Sequence, residues 1–157
     1  MSDSDAVSLF TLVAESVGAN RQQKMEAWLA NRQARPAARN MLQYNHLPWD
    51  PAQQAHTFSW QKKHTGWMDV LRSDGQVVQV VCNLRYPKRR WFSPHRRDWK
   101  SLNETASRLM GEGKALGLPE RPSQLYRRGN LNLLMKSYEE KSHAFIELKL
   151  ARGDFCS

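Results

Sequence analysis

Residues 76–86, Q-V-V-Q-V-V-C-N-L-R-Y, constrain the fold more than any other stretch of the chain. Apolar side chains occupy every second position from Val78 to Leu84, which is the period of a strand with one buried face. The dipeptide Asp74-Gly75 just before it is a strong signal for a hairpin turn. The pattern therefore predicts an antiparallel sheet built around this strand.

Other patterns predict helices and strands on both sides of it. Apolar residues at helical spacing, broken at Gly18 and before Pro36, predict a helical hairpin over residues 5–17 and 20–34, with a short helix over 37–45. Strands are expected over 56–64, 66–72 and 144–150. A helix is expected from Pro94 to about Gly117 and another over 131–141, with the turn-rich residues 117–130 between them.

These elements predict an α+β fold in a single domain of 157 residues. We expect an N-terminal helical hairpin, a three- to four-stranded antiparallel sheet and C-terminal helices packed on one face. Residues 1–45 would form a helical N-terminal subregion, and residues 56–157 a basic α+β core. The hairpin is expected either to pack on this core or to form a homodimer through residues 5–34.

The positive charge of the chain is concentrated in its middle third. Of the formal net charge of +9, residues 51–100 contribute +7, from ten Lys and Arg against three Asp. The stretch from Arg85 to Lys100 alone holds seven of these cations, with four aromatic residues interleaved. Cations alternating with flat rings suit a phosphate backbone whose bases can stack. The predicted partner is therefore DNA, with RNA as the alternative.

The predicted nucleic-acid contacts are the cations of this stretch, one of its tryptophans and a second basic pair further on. They are Arg85, Lys88, Arg89, Arg90, Trp91, Arg96, Arg97, Lys100, Arg127 and Arg128. The expected function is that of a non-catalytic, DNA-binding accessory factor in replication, transfer or transcription, without a cofactor. Binding of an acidic protein partner, as an adaptor, is an alternative.

A metal-dependent nuclease is the enzymatic alternative. Glu147-Leu148-Lys149 forms an E-x-K pair on a predicted strand, and Asp69 lies on an earlier one. Two carboxylates on adjacent strands can bind a divalent cation, beside a lysine that steadies the attacking water. This pattern resembles the active-site core of the restriction-endonuclease-like family. The resemblance implies metal-dependent cleavage of nucleic acid by Asp69, Glu147 and Lys149.

Composition also indicates the compartment. The two cysteines, Cys82 and Cys156, lie far apart, which is neither a disulfide framework nor a metal-ligand spacing. The five histidines have no spacing typical of a zinc site. Neither a signal peptide nor an apolar run long enough to span a membrane is visible. We therefore expect a cytoplasmic protein without a bound metal.

Overall fold

A computed structural model describes residues 3–19, 54–61, 65–73, 76–88 and 94–153, with side chains described for 8–19, 79–88 and 94–153. Its elements, in chain order, are α1 (Asp3–Glu15), β1 (Gln54–Gln61), β2 (Thr65–Ser73), β3 (Gln76–Pro87), α2 (Pro94–Met110), β4 (Lys114–Leu118), β5 (Arg121–Arg128), β6 (Leu131–Glu139) and β7 (His143–Arg152). The helices predicted over 20–34 and 37–45, and the Asp74-Gly75 turn, lie outside the described residues.

The seven described strands form one antiparallel sheet in the order β1-β2-β3-β7-β6-β5-β4. The strands form two antiparallel meanders, β1 to β3 and β4 to β7, and α2 connects the two along the chain. The meanders join in the middle of the sheet, where β7 pairs with β3 from Gln79↔Ala151 to Pro87↔His143. Each meander therefore contributes one strand to the central pair.

Both described helices pack on the same face of this sheet. They contact each other, and α1 also contacts β3 while α2 contacts β5 and β7. The core combines apolar helix residues with every second residue of the central strands. The helices contribute Phe10, Val13, Ala14, Leu102, Ala106 and Met110, and the turn after α1 contributes Val17. The strands contribute Val80, Cys82, Leu84, Leu133, Met135, Ile146, Leu148 and Leu150. Neither described helix is long and apolar enough to cross a membrane.

Two strands predicted from alternation are confirmed. In β3, Val80, Cys82 and Leu84 are fully buried, as the period-two pattern required. In β7, residues from Ala144 to Leu150 alternate between buried and half-buried positions. Strict alternation predicts both the strand and its buried face because successive side chains point to opposite sides of a sheet.

The start of α2 was predicted correctly and its end was not. Pro94 occupies the first helical position, where its fixed φ suits the helix and its missing N–H is not needed. The helix ends at Met110 instead of continuing to Gly117. Gly111 has a φ of +96° and donates its N–H to the Ser107 carbonyl at 2.9 Å, the geometry of a glycine that terminates a helix.

The helix predicted over residues 131–141 is wrong, because this segment is β6. Leu131, Leu134, Met135 and Tyr138 fit helical spacing, but burial in the structure instead alternates from Leu133 to Ser137. Position within the sheet decides the outcome, since β6 is hydrogen-bonded to β5 on one side and β7 on the other.

The predicted sheet of three or four strands with C-terminal helices is therefore also wrong. Seven strands are described, and after β3 the described residues contain one helix, α2. The supposedly turn-rich residues 117–130 supply the end of β4 and all of β5, joined by a tight turn at Pro119-Glu120. Pro119 is tolerated because it lies in the turn, and Pro122 because it lies at the N-terminal end of β5, beyond its pairing with β6.

Candidate nucleic-acid interface and a buried serine–histidine pair

The predicted basic residues occupy three places on the fold. They are Arg85 and Lys88 at the end of β3, Arg96, Arg97 and Lys100 in the first turns of α2, and Arg127 and Arg128 at the end of β5; all seven are exposed. Arg89, Arg90 and Trp91 lie outside the described residues. Trp99 is half-buried and packs against the core, so this aromatic residue of the basic stretch has a structural role.

A buried hydrogen bond holds the end of β3 against the start of α2. The Tyr86 hydroxyl donates to Asp98 Oδ2 at 2.6 Å, and both residues are buried. Burial, and secondly the neighbouring Asp98 carboxylate, raise the pKa of Tyr86 far above its ordinary value, so the phenol stays protonated. The two described halves of the basic stretch therefore meet at a rigid corner of the fold.

Three of the predicted contacts already have partners within the protein. Arg97 Nε lies 4.0 Å from Asp98 Oδ1. Lys88 Nζ lies 3.8 Å from Glu139 Oε2, an exposed ion pair of the kind that contributes about 0–1 kcal/mol. Arg128 Nη1 donates to the Leu109 carbonyl at 2.9 Å, in the last turn of α2, where carbonyls lack partners within the helix. Arg128 therefore caps α2, whatever else it binds.

The sheet face opposite the helices carries a row of one cation and two aromatic rings. Arg85 of β3 pairs with Phe145 of β7, which in turn pairs with Tyr138 of β6. The Tyr138 and Phe145 rings are stacked, with centroids 4.9 Å apart and planes inclined by 13°. Arg85 is exposed and the two rings are half-buried. Three neighbouring strands thus present two partly exposed rings, stacked on each other, beside an exposed arginine.

Further charges lie beside this row. Exposed Lys136 of β6 pairs in register with Glu147 of β7. Glu147 Oε1 lies 3.6 Å from Lys149 Nζ, so the E-x-K motif forms an ion pair along one strand. Burial, then Glu147 and Glu140, raise the pKa of Tyr138, with Arg121 opposing them. The phenol of Tyr138 is therefore neutral at pH 7, which is the form that suits stacking against a base.

The register also places the residues of the nuclease hypothesis. Asp69 pairs with Val81, and Val81 pairs with Lys149. The backbones of Asp69 and Lys149 are thus two strands apart, about 9.5 Å at the usual strand spacing, and Glu147 is displaced by two further residues. Among the described residues no three His, Cys, Asp or Glu side chains are grouped closely enough to hold a metal ion.

A second arrangement on the opposite face was not predicted from the sequence. His95 Nε2 of α2 lies 2.7 Å from the Ser137 hydroxyl of β6, and each residue is at least nine-tenths buried. His95 Nδ1 lies 3.9 Å from Glu139 Oε1. Burial lowers the pKa of His95, and Glu139 partly opposes this shift. The imidazole is therefore neutral at pH 7, hydrogen-bonded to a serine and close to a carboxylate.

This pair borders a cavity of about 390 Å³. β5 stops pairing with β6 beyond Ser123↔Lys136, and the cavity lies in the gap that opens between Pro122 and Ser137. Aromatic side chains of Trp99 and Tyr138 also line it. Sequence spacing gives no signal for this site because His95 and Ser137 are 42 residues apart and meet only through the packing of α2 on the sheet.

The chain is only weakly similar to known proteins. No protein-family model matches the chain, and no curated protein matches it. Among solved structures, a GTP-binding regulator from Thermotoga maritima is 12% identical, with 73% of this chain and 79% of that one covered and a TM-score of 0.38. A DUF4309 family protein, YjgB, from Bacillus subtilis is also 12% identical, with 94% and 97% covered and a TM-score of 0.34. Similarity this weak supports no inference about function.

Proposed function

We propose that the protein binds single-stranded nucleic acid, DNA in preference to RNA, across the sheet face opposite its helices, without catalysing a reaction of the nucleic acid. The observation that supports this function is the stacked pair of Tyr138 and Phe145 beside exposed Arg85. A base stacks on an aromatic ring regardless of its sequence, and a neighbouring cation binds the phosphate of the same nucleotide. The expected role is that of an accessory factor acting on DNA in the cytoplasm.

The basic corner supports the same proposal through charge. Arg96 and Lys100 are exposed in the first turns of α2, next to the end of β3 that carries Arg85. Because α2 packs on the other face of the sheet, these cations would attract phosphates of a strand that continues around the end of β3. Each phosphate that a cation neutralises contributes about −0.7 to the salt slope on single strands, so affinity should fall steeply with salt.

The test is a salt-titrated anisotropy measurement with fluorescein-labelled single-stranded DNA, duplex DNA and RNA of equal length. Phe145→Leu removes the ring while keeping an apolar side chain, and we expect it to weaken single-strand binding about 5- to 150-fold, the equivalent of about 1–3 kcal/mol per stacked base. Arg85→Ala should reduce the salt slope by about 0.7. Arg108→Ala, an exposed arginine in the last turn of α2, is the matched control and should change neither quantity.

Unfolding of each variant in urea separates lost binding from lost stability, since cross-strand aromatic pairs also stabilise sheets. No binding to any of the three ligands at about 50 mM salt would exclude the proposal and favour an acidic protein partner. Magnesium-dependent cleavage that Glu147→Ala abolishes would instead establish a nuclease. Light scattering of the free protein tests the homodimer predicted through residues 5–34.

A further inference from the structure

The hydrogen bond between Ser137 and His95 has the arrangement of a nucleophile with its general base. The Ser137 hydroxyl and His95 Nε2 are 2.7 Å apart, which is direct proton-transfer distance. Ser137 belongs to a central strand and His95 to the first turn of a helix that packs on that sheet. Rigid elements on both sides fix the pair, which favours a defined site over a mobile surface contact.

Glu139 lies close to His95 Nδ1, a buried nitrogen that has no hydrogen-bond partner among the described residues. Its carboxylate lies two residues beyond Ser137 on the same strand, and Oε1 is 3.9 Å from His95 Nδ1. A negative charge on that side favours the proton on Nδ1. Nε2 is then an acceptor, and the Ser137 hydroxyl donates to it. This tautomer is the one that can take the serine proton when the oxygen attacks an electrophile.

The cavity provides room for a substrate at the serine. Ser137, His95 and Glu139 all line the space of about 390 Å³. Trp99, Tyr138 and the prolines of the β4–β5 turn supply apolar and aromatic walls, which suit a small aromatic or short aliphatic acyl group. Arg96 and Glu120, both exposed at the same cavity, suit a polar portion of the molecule.

We propose that Ser137 is a nucleophile activated by His95, and that the cavity accepts a small carboxylic ester. Ser137 Oγ bonds to the carbonyl carbon as its proton passes to His95 Nε2, and the bond to the leaving alcohol breaks as that alcohol takes the proton. Water then attacks the acyl-serine, giving its proton to His95, and the carboxylic acid is released as Ser137 Oγ recovers the proton. Ser137 and His95 are the catalytic residues, and Glu139 positions His95.

The proposed reaction uses Ser137 and His95, which face the helices, whereas Phe145 and Arg85 lie on the other side of the sheet. The proposal therefore does not depend on the proposed function. Tyr138 and Arg96 border the cavity and also belong to the proposed nucleic-acid site. Ester hydrolysis would be an activity in addition to the proposed binding of nucleic acid by the basic surface.

The test uses p-nitrophenyl acetate with the full chain. We expect release of p-nitrophenol and, by peptide mass spectrometry after an acid quench, an acetyl group on Ser137. His95→Gln should slow acetylation about 10²- to 10⁴-fold, and Ser137→Ala should abolish it at that peptide and leave only background p-nitrophenol release. Ser123→Ala, a half-buried serine of the neighbouring strand, is the matched control and should react like wild type. Circular dichroism establishes that each variant is folded.

Glu139→Gln gives a readout that a purely structural role would not change. Burial is the largest influence and lowers the pKa of His95, as does Arg96, whereas Glu139 and Asp98 raise it. Acetylation requires neutral His95, so its rate should fall as pH decreases through that pKa. Removing the carboxylate should move this midpoint to lower pH. Ser137→Cys keeps a nucleophile of similar size and should still be acylated. Absence of acetylation in the wild-type protein, or acetyl groups only on other residues, would overturn the proposal.

Discussion

The hydrogen bond between Tyr86 and Asp98 should make a larger contribution to stability than its single hydroxyl suggests. Tyr86→Phe removes the donor and keeps the ring, so Asp98 loses a partner at a buried position. A hydrogen bond to a charged group contributes about 1.5–3 kcal/mol. Dividing by about 2 kcal/mol per molar urea gives a fall of about 0.8–1.5 M in the unfolding midpoint. Equilibrium urea unfolding, followed by tryptophan fluorescence, measures it.

Tyr126→Phe is the matched comparison. The Tyr126 hydroxyl donates at the same distance, 2.6 Å, but to the neutral side chain of Asn103. Loss of a neutral hydrogen bond costs about 0.5–1.5 kcal/mol. If the Tyr86→Phe midpoint is as high as that of Tyr126→Phe, then the charge of Asp98 adds nothing and the reasoning fails. A smaller urea dependence in either variant would indicate a change in the unfolded ensemble instead.

Two further predictions concern strain and pH. Gly117→Ala should destabilise the protein by more than Gly129→Ala. Both glycines have positive φ, but only at Gly117 would a Cβ lie 2.8 Å from a backbone oxygen. Thermal unfolding of the two variants measures the difference. Since the folded-state pKa of Tyr86 is raised above 10.0, its contribution to stability is complete below about pH 10 and is lost as pH rises above it. The unfolding free energy of the wild-type protein should therefore fall more between about pH 9 and pH 11 than that of Tyr86→Phe, and equal slopes would contradict the assignment.

Local sequence patterns predicted the central strands β3 and β7 and the start of α2, but not the strands β4 to β6 on one side of the sheet. The alternation in β3 and β7 was visible because both strands have one strongly apolar face, and Pro94 marked the start of α2. In β6 an apolar residue, Leu134, also lies on the face opposite Leu133 and Met135, so a helical period fits the segment equally well. Only its position between two other strands decides the outcome. The short edge strand β4 is exposed throughout and carries no periodic signal.

Of the candidate sites, only the basic stretch was visible in the sequence. It was visible because its cations are contiguous, and the structure adds the corner formed by Tyr86 and Asp98. The stacked rings of Tyr138 and Phe145 come from adjacent strands, and Tyr138 was expected on a helix. The meeting of His95 and Ser137 depends on how α2 crosses the sheet, which no local pattern encodes.

The joint between β3 and β7 also determines when the sheet can be completed during synthesis. Partner residues in this pair are 56 to 72 positions apart in the chain, so the joint is a long-range contact that slows folding. At about 5–20 residues per second, β3 waits about 3–11 s after its own synthesis before β7 begins to be made. Throughout that interval the edge of β3 has unpaired backbone groups that can pair with another strand. A nascent chain of this protein should therefore be most prone to aggregation between the synthesis of its third and seventh described strands.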